Sequence, residues 1–270
     1  MATLVCFHAH PDDEVLNTGG LIARSSDGGH RVVLVTATRG EHGEIAPGVL
    51  SEGEALAARR ETEVAASADI LGVARHEFLG YVDSGMMGTP PNEAPESFWR
   101  ADLEEAAGRL AAILTEERAD ALTIYDDNGG YGHPDHIQVH RVGVRAAEIA
   151  GVRAVYQATM DQGRMRAGLE RTATDERLPA DSPMKAMAKE MLASEFTFGV
   201  PGDLITNRID VAPWITRKRQ ALVAHATQIA PESFFLVMPE WAFTEAFGEE
   251  AFICLHPDEP DPEIFAGTRG

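Results

Sequence analysis

Cysteine, basic residues and long apolar runs are all scarce in this sequence of 270 residues. Its two cysteines, Cys6 and Cys254, argue against a disulfide-stapled secreted domain and predict a reduced, cytoplasmic setting. The 23 Lys and Arg residues are outnumbered by 43 Asp and Glu, and the resulting formal charge of −20 argues against a nucleic-acid partner. No basic, apolar leader and no run of the ~20 apolar residues that span a membrane is present, so no membrane partner is expected.

Strand-like and helix-like patterns alternate through the first part of the chain. The predicted strands are 4–8, 32–36, 78–81, 121–125 and 154–157, and the predicted helices between them are 15–26, 52–71, 102–117 and 134–150. This alternation predicts an α/β fold in which a mostly parallel, Rossmann-like sheet carries helices on both faces. Ligands of such sheets gather at the carboxyl ends of the strands, where both histidine motifs of this sequence lie.

The periodicity weakens beyond about residue 160. We therefore predict an α/β catalytic core over 1–160 and a C-terminal part, 161–270, that completes the same domain and covers the active site. Within that part, 215–227 is typical of a helix and 250–255 of a closing strand.

The first motif, His10-Pro11-Asp12-Asp13-Glu14, follows the first predicted strand and opens the first predicted helix. A spacing of three lets one helical turn direct His10 and Asp13 into the same space. Imidazole and carboxylate are ligands that a catalytic zinc accepts, and Asp12 beside them could take a proton from water as general base. An ordinary acidic helix start would explain the proline and one or two acids, but not the histidine with them.

Residues 128–136 repeat this design after the strand at 121–125. A glycine-rich loop leads into a helix that begins with proline, and His133 and His136 are again three residues apart. In a parallel sheet the two turns can converge at one edge, where together they supply His, Asp and His to a metal.

The two motifs, in this order and spacing, closely resemble those of the PIG-L/LmbE-like N-deacetylase family. The resemblance extends to an Arg-x-x-Glu pair on the second helix, to the loop 83–86 and to a C-terminal segment. The matching positions are Arg60 and Glu63, Asp83-Ser84-Gly85-Met86, and His225-Ala226-Thr227-Gln228. The resemblance implies a zinc-dependent hydrolase that removes an N-acetyl group from an N-acetylglucosamine-type small molecule. Its partner would be an amino-sugar conjugate.

Carried over to the matching positions, the family pattern implies a complete catalytic centre. The zinc ligands would be His10, Asp13 and His136. Asp12 would be the general base, and His133, oriented by Asp135, would stabilise the oxyanion. Either His133 or the newly protonated Asp12 would protonate the leaving amine, and Tyr131 would be a further donor to the scissile carbonyl.

The resemblance also implies residues that bind substrate. Arg60 and Asp83 would hold sugar hydroxyls or an attached polar group. Met86 would line an apolar wall for the acyl group, although ordinary packing explains a methionine equally well. Asn17 stands where the mycothiol-conjugate amidases of this family carry a lysine, which argues against that activity.

Several alternatives stay open at this point. Iron(II) suits two imidazoles and a carboxylate as zinc does. The chain could be an amidase of mycothiol-type S-conjugates or of another amide, or a metal-binding protein without turnover. Separately, it could form a homo-oligomer. A nucleotide-binding Rossmann domain is rejected, because the first strand leads into the histidine motif and not into a glycine fingerprint.

Overall fold

The computed structural model describes residues 1–194 and 198–269 and contains a seven-stranded sheet of order β3-β2-β1-β4-β5-β7-β6. The first five strands run parallel, and β7 is antiparallel to both of its neighbours. The strands are β1 (Thr3–His8), β2 (Arg31–Thr36), β3 (Arg75–Phe78), β4 (Ala121–Tyr125), β5 (Val155–Thr159), β6 (Asn207–Asp210) and β7 (Glu249–Cys254).

Helices cover both faces of this sheet. They are α1 (Asp13–Asp27), α2 (Leu56–Leu71), α3 (Leu103–Glu117), α4 (Pro134–Ala150), α5 (Gln162–Thr174), α6 (Pro183–Ala193), α7 (Ile215–Ala224), α8 (Phe234–Val237) and α9 (Glu240–Phe247). Right-handed crossovers place α1 and α2 on one face. The chain then returns from the edge strand β3 to β4, which places α3 and α4, packed on each other, on the opposite face. Helix α7 packs against α1 and α2.

The central strands are buried almost along their whole length, because helices shield both of their faces. Uninterrupted apolar runs such as 32–35 reflect this, since a half-exposed strand would alternate with polar residues. The predicted α/β fold with a mostly parallel sheet is therefore confirmed. Some boundaries differ: β3 lies three residues before its predicted start, and α2 begins at Leu56 rather than at residue 52.

Residues beyond 160 contribute to the same sheet through β6 and β7. Strand β7 pairs with β5 in the register Tyr156↔Cys254 and also pairs with β6. Residues 195–197 and 270 of the predicted C-terminal part lie outside the described residues. Across the ranges that are described, no helix is both long enough and apolar enough to cross a bilayer.

Candidate active site

The two histidine motifs lie side by side because β1 and β4 are neighbours in the sheet. Leu4 pairs with Ala121 and Cys6 with Thr123, so both strands end at the same edge. The motifs follow these ends directly, and α1 and α4 start within them. The ring centroid of His10 is thereby 4.7 Å from that of His133 and 5.4 Å from that of His136.

Asp13 lies between two of these histidines. Its Oδ2 atom is 3.3 Å from Nδ1 of His10 and 3.3 Å from Nε2 of His136. Neighbouring ligand atoms on a tetrahedral zinc are separated by about 3.3–3.5 Å when the bonds are about 2.0–2.2 Å long. All three side chains are buried. The structure therefore places the Asp13 carboxylate between the two predicted histidine ligands, and each of its two distances to them suits a shared ion.

The hydrogen bonding of His136 supports a cation at this place. Its Nδ1 is 3.2 Å from the carbonyl oxygen of Gly129, which can only accept, so Nδ1 carries the proton. Nε2 then holds a lone pair; it is buried and has no hydrogen-bond partner among the described residues. It faces the carboxylate of Asp13, and two lone pairs in contact are stabilised by a cation between them. The residues thus fit a divalent metal.

Other buried groups could also hold a metal here. The imidazoles of His10, His133 and His136 offer one nitrogen atom each within 4.8 Å of one another. A second group combines imidazole nitrogens with carboxylate oxygens, which also lie within 4.8 Å of one another. The members of that second group are His10, Asp83, His133 and Asp135. His10 belongs to both groups, and both of its ring nitrogens face carboxylates: Nδ1 is 3.3 Å from Asp13 and Nε2 is 3.0 Å from Asp135. Burial opposes a charged ring, yet these carboxylates raise the pKa of His10 well above its usual range.

Asp12 has a rare backbone conformation, with φ 105° and ψ −31°. Only Arg118 shares a positive φ among the non-glycine residues described. Burial raises the pKa of Asp12 to about 6, against the opposing effect of Arg60, whose Nη2 is 3.4 Å from the carboxylate. A carboxylate with such a pKa is still ionised at neutral pH and is a stronger base than usual.

Arg60, predicted to bind substrate, is 3% exposed and binds the protein itself. Its guanidinium donates to the carbonyl oxygens of Pro11 and of Gly40, besides its contact with Asp12. These bonds occupy both terminal nitrogens. The observed contacts support the turn that carries Asp12, and sugar binding by Arg60 stays a prediction.

His133 caps the start of α4 and is a neutral ring. Its Nδ1 accepts from the backbone N–H of Asp135 at 3.1 Å, so the proton lies on Nε2. Burial, together with the neighbouring imidazoles of His10 and His136, lowers the pKa of His133 to about 4. This leaves Nε2–H as a hydrogen-bond donor beside the candidate metal ligands.

Asp135, predicted to orient His133, contacts that ring through its backbone and contacts His10 through its carboxylate. Its Oδ2 is 3.0 Å from Nε2 of His10 and accepts from the backbone N–H of Ser84 at 2.9 Å, while Oδ1 accepts from the Ser84 hydroxyl. Only the backbone amide of Asp135 reaches His133. The carboxylate therefore orients His10, because the Ser84 loop supplies two donors on that side.

The remaining predicted residues surround this centre. The Tyr131 ring meets His136 edge-on at 4.9 Å, and burial raises the pKa of its hydroxyl. The Asp83 carboxylate accepts from the backbone N–H groups of His42 and Gly85 and lies 3.6 Å from Nε2 of His10. Met86 follows on the same loop and is 48% exposed, so its side chain is available to a ligand.

Two supporting groups were not predicted from the sequence. Tyr125 ends β4, stacks on the ring of His136, and its hydroxyl lies 2.8 Å from Nδ1 of His8. Glu14 forms a buried ion pair with His225. From the sequence, His225 is expected only near the end of a helix, where a cation is favourable. A usable signal for Tyr125 was its position, one residue before the loop that carries the second motif. For His225 the signal was the resemblance of residues 225–228 to a C-terminal segment of the family, which does not indicate its contact with Glu14.

A parallel α/β sheet with a buried His/Asp centre at the carboxyl ends of its strands defines a candidate metal-dependent enzyme. The sequence pattern of the GlcNAc-PI de-N-acetylase (PIG-L) family matches residues 5–147. The 1D-myo-inositol 2-acetamido-2-deoxy-alpha-D-glucopyranoside deacetylase of Acidothermus cellulolyticus is 40% identical over 98% of this chain and 95% of its own length. The chain therefore belongs to the PIG-L family.

Solved structures share the fold at low identity. The N,N'-diacetylchitobiose deacetylase of Pyrococcus horikoshii is 21% identical, with a TM-score of 0.58 over 97% of this chain and 87% of that one. The 4-carboxy-2-hydroxymuconate hydratase of Pseudomonas putida KT2440 is 17% identical, also with a TM-score of 0.58, over 97% and 99%. Because one is a deacetylase and the other a hydratase, the fold alone does not identify the reaction.

Proposed function

We propose that this chain is a metal-dependent N-deacetylase that hydrolyses the acetamide of an N-acetylglucosamine-type small molecule. The observation that carries the proposal is the buried Nε2 of His136, which faces the Asp13 carboxylate at 3.3 Å and has no hydrogen-bond donor in the described part of the chain. The 40% identical relative makes 1D-myo-inositol 2-acetamido-2-deoxy-α-D-glucopyranoside the first substrate to test.

The metal that we propose is zinc, held by His10, Asp13 and His136, with iron(II) as the alternative. When bound, such a metal acidifies water and polarises an amide carbonyl, which is the chemistry that amide hydrolysis needs. Two buried free thiols, Cys6 and Cys254, are compatible with the cytoplasmic location that we propose.

Asp12 would act as the general base. Its carboxylate, with a pKa of about 6, accepts the proton of the attacking water as that water adds to the amide carbon. The contact with Arg60 keeps it oriented during this step. After the transfer, the protonated Asp12 holds the proton that the leaving nitrogen needs.

His133 would stabilise the oxyanion through Nε2–H. Its Nδ1 already accepts a hydrogen bond from the Asp135 backbone and cannot also hold a proton without losing that bond. A neutral His133 is a good hydrogen-bond donor and a poor acid, so this geometry favours Asp12 as the group that protonates the amine. Tyr131 would be a second donor to the carbonyl, and such donors are typically worth ~3–4 kcal/mol each.

The substrate would lie against the loop of Asp83 and Met86. The Asp83 carboxylate would accept from sugar hydroxyls, and the exposed Met86 would contact the acetyl group. We also propose that residues 161–270 complete the catalytic domain and cover its site. Asn17, where a conjugate amidase would carry lysine, donates to its own helix at Asp13 O and does not favour that second activity.

Acetate release tests the proposal directly. The metal-free protein, loaded with zinc or iron(II), should release acetate from the inositol-linked N-acetylglucosamine and should leave mycothiol-type S-conjugates intact. The matched control is Asp12→Ala, which should bind metal and release little acetate. Stoichiometric metal without hydrolysis of any acetylated amine would instead indicate a non-catalytic metal-binding protein.

A further inference from the structure

The turn that carries Asp12 has a conformation that needs external support. A φ of 105° is rare for a residue with a side chain, because Cβ is crowded by the backbone. Such conformations persist where the surrounding structure holds them in place. The groups that hold Asp12 therefore also determine where its carboxylate points.

Glu14 is one of these groups. Its Oε2 accepts from the backbone N–H of Asp12 at 2.9 Å, so the carboxylate reaches back over the start of α1 and fixes the strained residue from within its own turn. Arg60 supports the turn from the other side, through the carbonyl of Pro11. The Glu14 side chain is fully buried.

Glu14 is itself held by residues from two other helical segments. Its Oε1 accepts from the Ser67 hydroxyl of α2 at 2.6 Å and lies 2.7 Å from Nε2 of His225, the residue after α7. His225 is also fully buried. Its turn is anchored to α2, since Thr227 donates its backbone N–H and its hydroxyl to Glu63.

We propose that His225 is a positioning residue, which holds the catalytic carboxylate of Asp12 in place through Glu14. The inference rests on the proposed role of Asp12 as general base. It gives a catalytic purpose to a segment that lies outside residues 5–147, the part that matches the family pattern. The reaction would thus depend on contact between the C-terminal part of the chain and the first motif.

A second buried ion pair, formed by a residue of α7 itself, provides a matched control. Lys218 of α7 is 1% exposed and lies 2.7 Å from Glu250, a separation equal to that of His225 and Glu14. Glu250 binds the backbone N–H groups of Gly20 and Leu21, in the middle of α1 and away from its start. Loss of Lys218 therefore removes a comparable pair without releasing the turn of Asp12.

Steady-state kinetics with metal analysis test the proposal on the metal-loaded full-length chain, with the inositol-linked N-acetylglucosamine as substrate. His225→Ala should lower kcat about 10- to 100-fold and leave KM and metal content nearly unchanged. His225→Gln, which keeps a donor for Glu14, should recover most of the loss. Lys218→Met should lower the melting temperature and keep kcat.

A double variant separates positioning from general destabilisation. If His225 acts through Asp12, adding His225→Ala to Asp12→Ala should not lower the residual kcat any further. Additive losses, or an equal fall of kcat in Lys218→Met, would overturn the inference. Should His225→Ala fail to fold, Ser67→Ala is the substitute, with a smaller fall of kcat at constant KM; an unchanged kcat there would also overturn it.

The same data distinguish this inference from the proposed function. Near-normal turnover by Asp12→Ala would refute the role of Asp12 as base. An inactive Asp12→Ala combined with a fully active His225→Ala would leave the proposed function intact and refute the positioning role alone.

Discussion

The ring of Tyr125 stacks on that of His136, with centroids 4.6 Å apart and planes inclined by 29°. Its hydroxyl contacts Nδ1 of His8 at 2.8 Å and the backbone N–H of Ala9 at 3.3 Å. One side chain thus supports a predicted metal ligand and the strand end that leads to the first motif. Groups that orient ligands in this way influence metal affinity even though they do not touch the ion.

Tyr125→Phe should therefore weaken metal binding about 10-fold or more. The variant keeps the ring that stacks on His136 but loses the hydroxyl contacts with His8 and Ala9. Competition with a chelator of known affinity measures this. Tyr156→Phe is the control: it removes a hydroxyl bonded to Asp261 at 2.7 Å and keeps a stacked ring, far from the metal centre. Equal affinities in both variants would refute the role of Tyr125.

A pair of histidine variants tests which side chains bind the metal. His136→Ala should lose the stoichiometric metal, since it removes one of three ligands. His133→Ala should keep it and lose turnover, by about 100-fold or more if its Nε2–H stabilises the oxyanion. Metal analysis of the purified proteins is the readout. Loss of metal from His133→Ala would instead indicate that the three imidazoles bind it together.

Asp12→Ala should retain one bound metal and lose turnover by about 10²–10⁴-fold, the usual contribution of a general base. Metal content and acetate release, measured on the same sample, check this expectation. A variant with near-normal acetate release would remove Asp12 from the base role.

Gly129→Ala should weaken metal binding as well as folding. Gly129 has φ 63°, and an added Cβ would lie 2.5 Å from Cβ of His136 and 2.7 Å from the backbone nitrogen of Ile137. The ring of His136 would have to move. Gly130→Ala is the control, because φ is 76° there but no described atom lies within 4 Å of the new Cβ.

Gly130→Ala should cost only the strain of a left-handed alanine, about 1–2 kcal/mol, and keep metal affinity. Denaturation curves and metal titrations on both variants separate the two effects. Equal metal affinity in Gly129→Ala and the wild type would show that the carbonyl of Gly129 does not orient His136.

Much of the fold could be predicted because its signals are local. The strand runs are apolar and rich in β-branched residues, and the helices between them have clear amphipathic or small-residue patterns. The edge strand β3, which has four residues, lies three residues before its predicted position because residues 75–78 include charged side chains at the sheet edge, where burial imposes no strong pattern.

The site was predictable in composition but not in its contacts. His10, Asp13 and His136 could be placed together because they follow neighbouring parallel strands. Asp135, predicted to orient His133, contacts it through its backbone N–H, while its carboxylate contacts His10 and Ser84, which lies on a loop far away in the sequence. Arg60, predicted to bind substrate, also donates to the carbonyl of Pro11 in the turn that carries Asp12, a contact that the sequence does not indicate.

By itself the sequence determined the α/β class, the two strand–turn–helix motifs and the kinds of ligand that they carry, because each depends on residues close together in the chain. Only the tertiary structure decided which carboxylate faces which ring, and that His225 meets Glu14 across 211 positions of sequence. Those contacts depend on how three helices and two loops pack against one sheet edge. A change of an ångström there exchanges one hydrogen-bond partner for another, and no local pattern in the sequence encodes it.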